Sequence, residues 1–211
     1  MQTSDLIEQL ATRLGPTPSR RRRLGIALAV GGVVALGLVW VLLGFRTDLI
    51  GAVFTSTFWM KWAFALATAA AAFVLCVRLA RPESKPGWLP VTLVMPFVVL
   101  IAVACIQLVN TPAAVRRTIW FGDTALQCLW CIPVLAVPLL LGVLWAFRQF
   151  APTRLRLAGF SAGLLAGAAA AAVYALHCDE TATAFVATWY SVGMLLPAML
   201  GLILGPRVLR W

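Results

Sequence analysis

The sequence predicts an all-α fold: a polytopic membrane protein, a bundle of six transmembrane helices with both termini cytoplasmic. Three observations lead there. The chain has 211 residues, 62% of them hydrophobic and 11% charged, whereas a water-soluble domain carries roughly 25% charged residues. Six apolar runs, about 24–44, 58–77, 89–109, 125–147, 157–177 and 184–204, each approach the ~20 residues that cross a hydrocarbon core of about 30 Å. The basic residues fall on alternate connections. Arg13, the run Arg20 to Arg23, Arg78, Arg81, Lys85, Arg148, Arg154, Arg156, Arg207 and Arg210 share one side, against Arg46, Lys61, Arg116 and Arg117 on the other. The positive-inside bias places the richer side, with both termini, in the cytoplasm.

Two units follow. Residues 1–23 form a cytoplasmic amphipathic tail and basic linker, and residues 24–211 form the membrane domain. What lies outside the spans is too short for a separate soluble domain. The formal charge of +10 sits on the cytoplasmic rim, so it is read as facing the lipid bilayer, where each basic contact with anionic headgroups is worth ~1 kcal/mol. Direct nucleic acid binding is not expected.

In the tail, "DLIEQLATRL" begins with Asp5 as a helix cap and Glu8 at the position that completes a capping box. Leu6, Ile7, Leu10, Ala11 and Leu14 then make one apolar stripe, and Gly15-Pro16 ends the helix. A short amphipathic helix on a tether fits a partner's groove. The alternative is a helix lying on the inner leaflet, but such helices are rich in Lys and Arg, and this one starts acidic.

Span one follows the arginine run and is too long for the h-region of a cleaved signal peptide, about 7–15 residues, so it is read as a retained anchor. Span two carries Lys61, close enough to its end to snorkel towards water. No other ionisable residue lies within a span, and pumps and transporters place such residues at mid-membrane. Pro96, Pro133, Pro138 and Pro197 lie within spans and permit kinks that neighbouring helices accommodate. Span four opens with "CLWC" (128–131). Span five repeats Gly159, Gly163 and Gly167 every four residues, a small-residue face that lets a neighbour's backbone approach. It ends in "YALHCDE" (174–180).

Of the five cysteines, Cys76 lies towards the cytoplasmic side, while Cys105, Cys128, Cys131 and Cys178 lie in the outer third, where disulfides persist. Spans four and five are consecutive, so "CLWC" and His177-Cys178 can meet. Any one of these cysteines is readable as a small packing residue, and His177, the sole histidine, as an interfacial one. Clustered, they admit two chemistries. Cys128, Cys178 and His177 are candidate soft-metal ligands, or two thiols close a disulfide if their Cα atoms come within about 7 Å. Asp179 and Glu180 are expected only to keep the helix end in water.

Several patterns converge: "DLIEQLATRL" before an arginine run, "GFRTDL" (44–49), "CLWCIPVLAVP" (128–138), "APTRLRLAG" (151–159), "LHCDE" (176–180), "FVATWY" (185–190) and "LGPRVLRW" (204–211). Together, nearly end to end, they resemble the NrsF-type family of six-span bacterial anti-sigma factors. The resemblance implies a protein of the bacterial inner membrane that sequesters an extracytoplasmic-function sigma factor. It also implies a paired-cysteine sensor facing the periplasm, answering heavy metal or oxidative stress. By the same resemblance the sensing residues are Cys128, which begins "C-x-x-x-I-P", and Cys178 in "LHC". Cys131 adds a thiol that can pair with Cys178 instead or join a metal site. The sigma-binding role maps onto Leu6, Ile7, Leu10 and Leu14 by their stripe. No enzymatic activity and no resident cofactor are expected; a soft metal ion enters only as a transient signal. Two other functions fit parts of the chain. A membrane thiol-disulfide oxidoreductase would use CxxC at the outer end of a span, but a second cysteine pair in an outer loop is missing. A small transporter or scaffold leaves the tail and the thiols without a role.

Overall fold

The structure, a computed structural model, describes residues 19–81, 87–150 and 152–210; the tail helix and its stripe Leu6, Ile7, Leu10 and Leu14 lie outside the described residues. Ser19 opens the first helix. Its Oγ accepts from the Arg22 backbone N–H at 3.3 Å, satisfying one of the amides that a helix start leaves without an intrahelical partner. Helix α1 (Arg20–Leu38) continues into a π-helical turn, Val39–Leu43, and Gly44 stops it at φ 74°, a conformation that suits glycine. A short α2 (Leu49–Val53) leads into α3 (Ser56–Leu79), and α4 (Leu89–Asn110) follows. Next come a short α5 (Ala113–Phe121) and the long α6 (Ala125–Phe147) and α7 (Leu155–Tyr174). The last span is composite: α8 (Thr183–Phe185), a second π-helical turn (Val186–Tyr190) and α9 (Ser191–Val208).

Six helical segments are long and apolar enough to cross a membrane: Arg20–Leu43, Ser56–Leu79, Val91–Asn110, Ala113–Phe147, Leu155–Tyr174 and Thr183–Val208. The all-α, six-span architecture is therefore present. The bounds shift at two informative places. Helix α5 precedes span four, where a plain connection was expected, and the turn at Gly122, φ 55°, separates it from α6. Span five ends at Tyr174 rather than at 177, because the Tyr174 carbonyl accepts from both His177 N (2.9 Å) and Cys178 N (3.1 Å) and closes the chain into a turn.

Helix α7 is the axis of the bundle. Of its apolar stretch 78% is buried, against 17–44% in the other spans, and it packs on α9 most extensively, then on α3 and α6. Its composition explains this. Between helices in lipid there is no hydrophobic driving force, so close backbone approach and van der Waals contact decide the packing. A Cβ added at Gly159 would lie 2.0 Å from the Gly201 carbonyl oxygen, one at Gly163 2.0 Å from that of Pro197, and one at Gly167 2.7 Å from that of Met194. Gly201 answers from α9, where a Cβ would lie 2.1 Å from the Gly159 carbonyl oxygen. The perimeter is apolar in a way that water would not tolerate: Val33, Val41, Trp40, Trp130 and Trp145 are all about two-thirds or more exposed, as a lipid-facing surface requires.

The alternating helices sort the charges. Arg20 to Arg23, Arg78, Arg81, Arg148, Arg154, Arg156, Arg207 and Arg210 lie at or beside one set of helix ends, here the arginine end. "HCDE", α2 and α5 lie at the opposite, cysteine end. Both π-helical turns, Val39–Leu43 and Val186–Tyr190, lie towards the cysteine end. Such turns shift the register of a helix and are frequent at functional sites.

Candidate functional site: a buried thiol pair

Cys128 stands on the first turn of α6, where its N–H donates to Thr124 O at 3.0 Å. The start of that helix is held from outside. Glu180 Oε1 accepts from Asp123 N (2.8 Å), Thr124 N (3.3 Å) and Thr124 Oγ1 (3.2 Å). A carboxylate here meets both free amides and the positive end of the helix dipole. The expectation that Glu180 merely solvates a helix end is thus corrected: it clamps the segment after span five onto the start of span four.

That clamp brings together two of the cysteines. Cys128 is fully buried and Cys178 is 2% exposed, and the two thiols stand close enough to influence each other's ionisation. Both are unbridged. Tyr174 Oη lies 3.5 Å from Cys128 Sγ. The Tyr190 hydroxyl, brought in by the second π-helical turn, is buried without a close hydrogen-bond partner and stands in the field of Cys178, Cys128 and Tyr174.

The largest departure from expectation is Lys61. It does not snorkel. It is 2% exposed, and its Nζ donates to Cys178 O at 3.0 Å and reaches Cys178 Sγ at 3.7 Å. The stem has turned inward because a carbonyl and a sulfur wait between α3 and α7, and a buried ammonium requires such acceptors. Arg46, from "GFRTDL", approaches the same carbonyl with Nη1 at 3.5 Å while its guanidinium grips Asp48 at 2.6 and 2.7 Å. The Cys178 thiol is in consequence held below its ordinary range: the hydrogen bond from Cys128 lowers it most, burial opposes, and the Lys61 ammonium lowers it further. A thiol so placed has thiolate character, which is the nucleophilic form.

The remaining candidates are placed elsewhere. Cys131 is half-buried and is not among the groups that shift the Cys178 thiol. Cys105 is exposed on α4, and Cys76 is buried towards the arginine end, with Sγ 3.4 Å from Ser161 Oγ. His177 Nδ1 meets Gly44 O at 2.9 Å and Nε2 meets the Gln127 side-chain amide at 3.1 Å. With Nδ1 donating to the carbonyl and Nε2 accepting from the amide, the ring ties spans one, four and five together and has no nitrogen left for a metal. Among the described residues no three His, Cys, Asp or Glu side chains are gathered as a metal site. Cys128, Cys178 and His177 are therefore not gathered as a metal site among the described residues.

Sequence reasoning missed Lys61, Tyr190 and Glu180 as members of this site. One signal was available: Lys61 is the only charged residue between Asp48 and Arg78, in a span otherwise free of ions.

The chain matches the family model of NrsF, negative regulator of sigma F, over residues 10–211. It is 42% identical to the probable anti-sigma-F factor NrsF of Azospira oryzae, over all of both chains. It is 37% identical to the anti-sigma-F factor NrsF of Caulobacter vibrioides, again over all of both. No solved structure matches it.

Proposed function

The chain belongs to the NrsF family of negative regulators of sigma F, and we propose that it is a multi-pass anti-sigma factor of the bacterial inner membrane that sequesters an extracytoplasmic-function sigma factor and releases it when Cys128 and Cys178 are oxidised. The role is regulatory, as in the named relatives, and not enzymatic. In this reading the arginine end and both termini face the cytoplasm, following the positive-inside bias, and the cysteine end faces the periplasm.

The observation that carries the sensing half is the buried, neighbouring pair Cys128 and Cys178, one thiol on α6 and the other in the turn that follows α7. Joining them by a disulfide fixes the separation of α6 and the end of α7. Those two helices are connected at the arginine end by the short segment Arg148 to Arg154, so a change in their packing reaches the cytoplasmic face directly. A signal shifts the bundle only by its preference for one state over the other, and a covalent bond compatible with only one packing is such a preference. Oxidation is favoured over a soft metal because only two thiols meet and the His177 nitrogens are engaged.

The sequestering half is assigned to the tail, through Leu6, Ile7, Leu10 and Leu14. Capture of the full-length protein from unstressed membranes, beside a version lacking residues 1–18, tests it. A sigma factor held by the first and lost from the second supports the assignment. One held by both moves the contact to the loops of the arginine end. None held by either overturns the function.

A further inference from the structure

Lysine is almost never fully buried unless paired. Lys61 is buried, and among the described residues no carboxylate pairs with it; the salt bridge there is Arg46–Asp48. Its acceptors are the carbonyl oxygen and the sulfur of Cys178. Of these the sulfur alone can carry a full negative charge. The buried Tyr190 hydroxyl, a donor without a close acceptor, stands beside the same sulfur. Cys128 has no cation beside it: its polar neighbours are the Tyr174 hydroxyl, Thr124 and Cys178 itself. The two thiols are equivalent in sequence terms and unequal in surroundings.

We propose that Lys61 assigns the two thiols different roles, Cys178 as the attacking sulfur and Cys128 as the resolving one, and that closing their disulfide strands the Lys61 charge inside the bundle, the imbalance that drives the change of packing. The inference rests on the oxidative reading of the thiol pair given above.

The chemistry balances with a peroxide as oxidant. The Cys178 thiolate attacks one peroxide oxygen; an S–O bond forms, the O–O bond breaks and hydroxide leaves. Cys178 is now a sulfenic acid, oxidised by the two electrons that the peroxide gained. The Cys128 thiol then attacks that sulfur; an S–S bond forms, the S–O bond breaks, and the departing hydroxide takes the Cys128 proton and leaves as water. In the product the sulfur is neutral. Lys61 keeps the Cys178 carbonyl but has lost its counter-charge, and an uncompensated buried cation is strongly destabilising. The bundle answers by carrying the ammonium towards water. That motion displaces α3 against α7, on which it packs closely.

The test uses the full-length protein in membranes, treated with hydrogen peroxide. Sulfenic acid is trapped with dimedone, and each cysteine is read by peptide mass spectrometry. In Cys128→Ser, Cys178 is labelled roughly tenfold or more faster than Cys128 is labelled in Cys178→Ser, the difference a nearby cation makes to a thiol. Adding Lys61→Met to Cys128→Ser removes that advantage, and adding Lys61→Arg keeps it. Equal labelling of the two thiols, or full-speed labelling with Lys61→Met, overturns the assignment of roles. Lys61→Gln, which still reaches the Cys178 carbonyl, serves if Lys61→Met fails to accumulate. For transduction, Lys61→Met is oxidised until the Cys128–Cys178 disulfide is complete. Retention of the sigma factor by this variant, where the wild type releases it, supports the stranded charge; release by both overturns it. If the oxidised wild type itself retains the sigma factor, the release reading fails, while the labelling experiment still decides the roles of the thiols.

Discussion

Glu180 and Thr124 are bound to each other twice, through the Thr124 N–H at 3.3 Å and its hydroxyl at 3.2 Å, both on the same carboxylate oxygen. A residue in the segment after span five is thereby the external cap of span four. Replacing it by alanine removes a cap worth about 1 kcal/mol and frees the turn that carries Cys128. Glu180→Ala is expected to lower the unfolding temperature in detergent by a few degrees and to slow formation of the Cys128–Cys178 disulfide. Thermal melts and mass spectrometry of the oxidised protein check both.

The glycine face of α7 leaves no room at Gly163, where a Cβ would sit 2.0 Å from the Pro197 carbonyl oxygen. Gly163→Val is expected to destabilise the bundle by about 1–3 kcal/mol or more, as overpacking does. Gly32, with nothing within 4 Å of an added Cβ, is the control: Gly32→Ala leaves the melt unchanged.

Cys178 faces Lys61 from α3, Cys128 from α6 and Tyr190 from the last span, with Arg46 on its carbonyl. Its thiol is held low, chiefly by the Cys128 hydrogen bond. Alkylation of Cys178 by iodoacetamide therefore stays fast below the ordinary thiol range of about 8.5 and declines only as the pH falls through its lowered value. Cys128→Ala, which removes that donor, raises the value and moves the decline towards higher pH. Rates measured site by site across a pH series check the sign.

The six spans and the glycine face were legible because composition and period report them without reference to neighbours. The resemblance of "CLWC" and "LHC" to a known family pointed to Cys128 and Cys178, with Cys131 left as an alternative partner. Depth alone had placed Cys105 and Cys131 with them. Rotation about the helix axis, which depth does not report, turns Cys105 outward and leaves Cys131 half-buried. Lys61 was misread for the same reason: a lysine near a helix end snorkels unless its face looks inward onto an acceptor. Tyr190 was hidden because a π-helical turn at Val186–Tyr190 shifts its register, and nothing in "FVATWY" announces that turn.

His177 is a tie between spans, with one nitrogen on Gly44 O and the other on Gln127. His177→Ala is expected to cost about 1–2 kcal/mol for the two hydrogen bonds, while the Cys128–Cys178 disulfide still forms on oxidation. Cys131→Ser is expected to leave both stability and disulfide formation unchanged. Melting curves and peptide mapping of the two variants separate these outcomes.

In the proposed mechanism one disulfide controls the hold on a sigma factor. The direct measurement is affinity capture of the full-length protein from membranes before and after peroxide, with the disulfide quantified in the same samples. The sigma factor is expected to be retained by the reduced protein, lost in proportion to the Cys128–Cys178 disulfide, and retained by Cys128→Ser and Cys178→Ser after the same treatment. A sigma factor still bound when the disulfide is complete, or released equally from both serine variants, would contradict it.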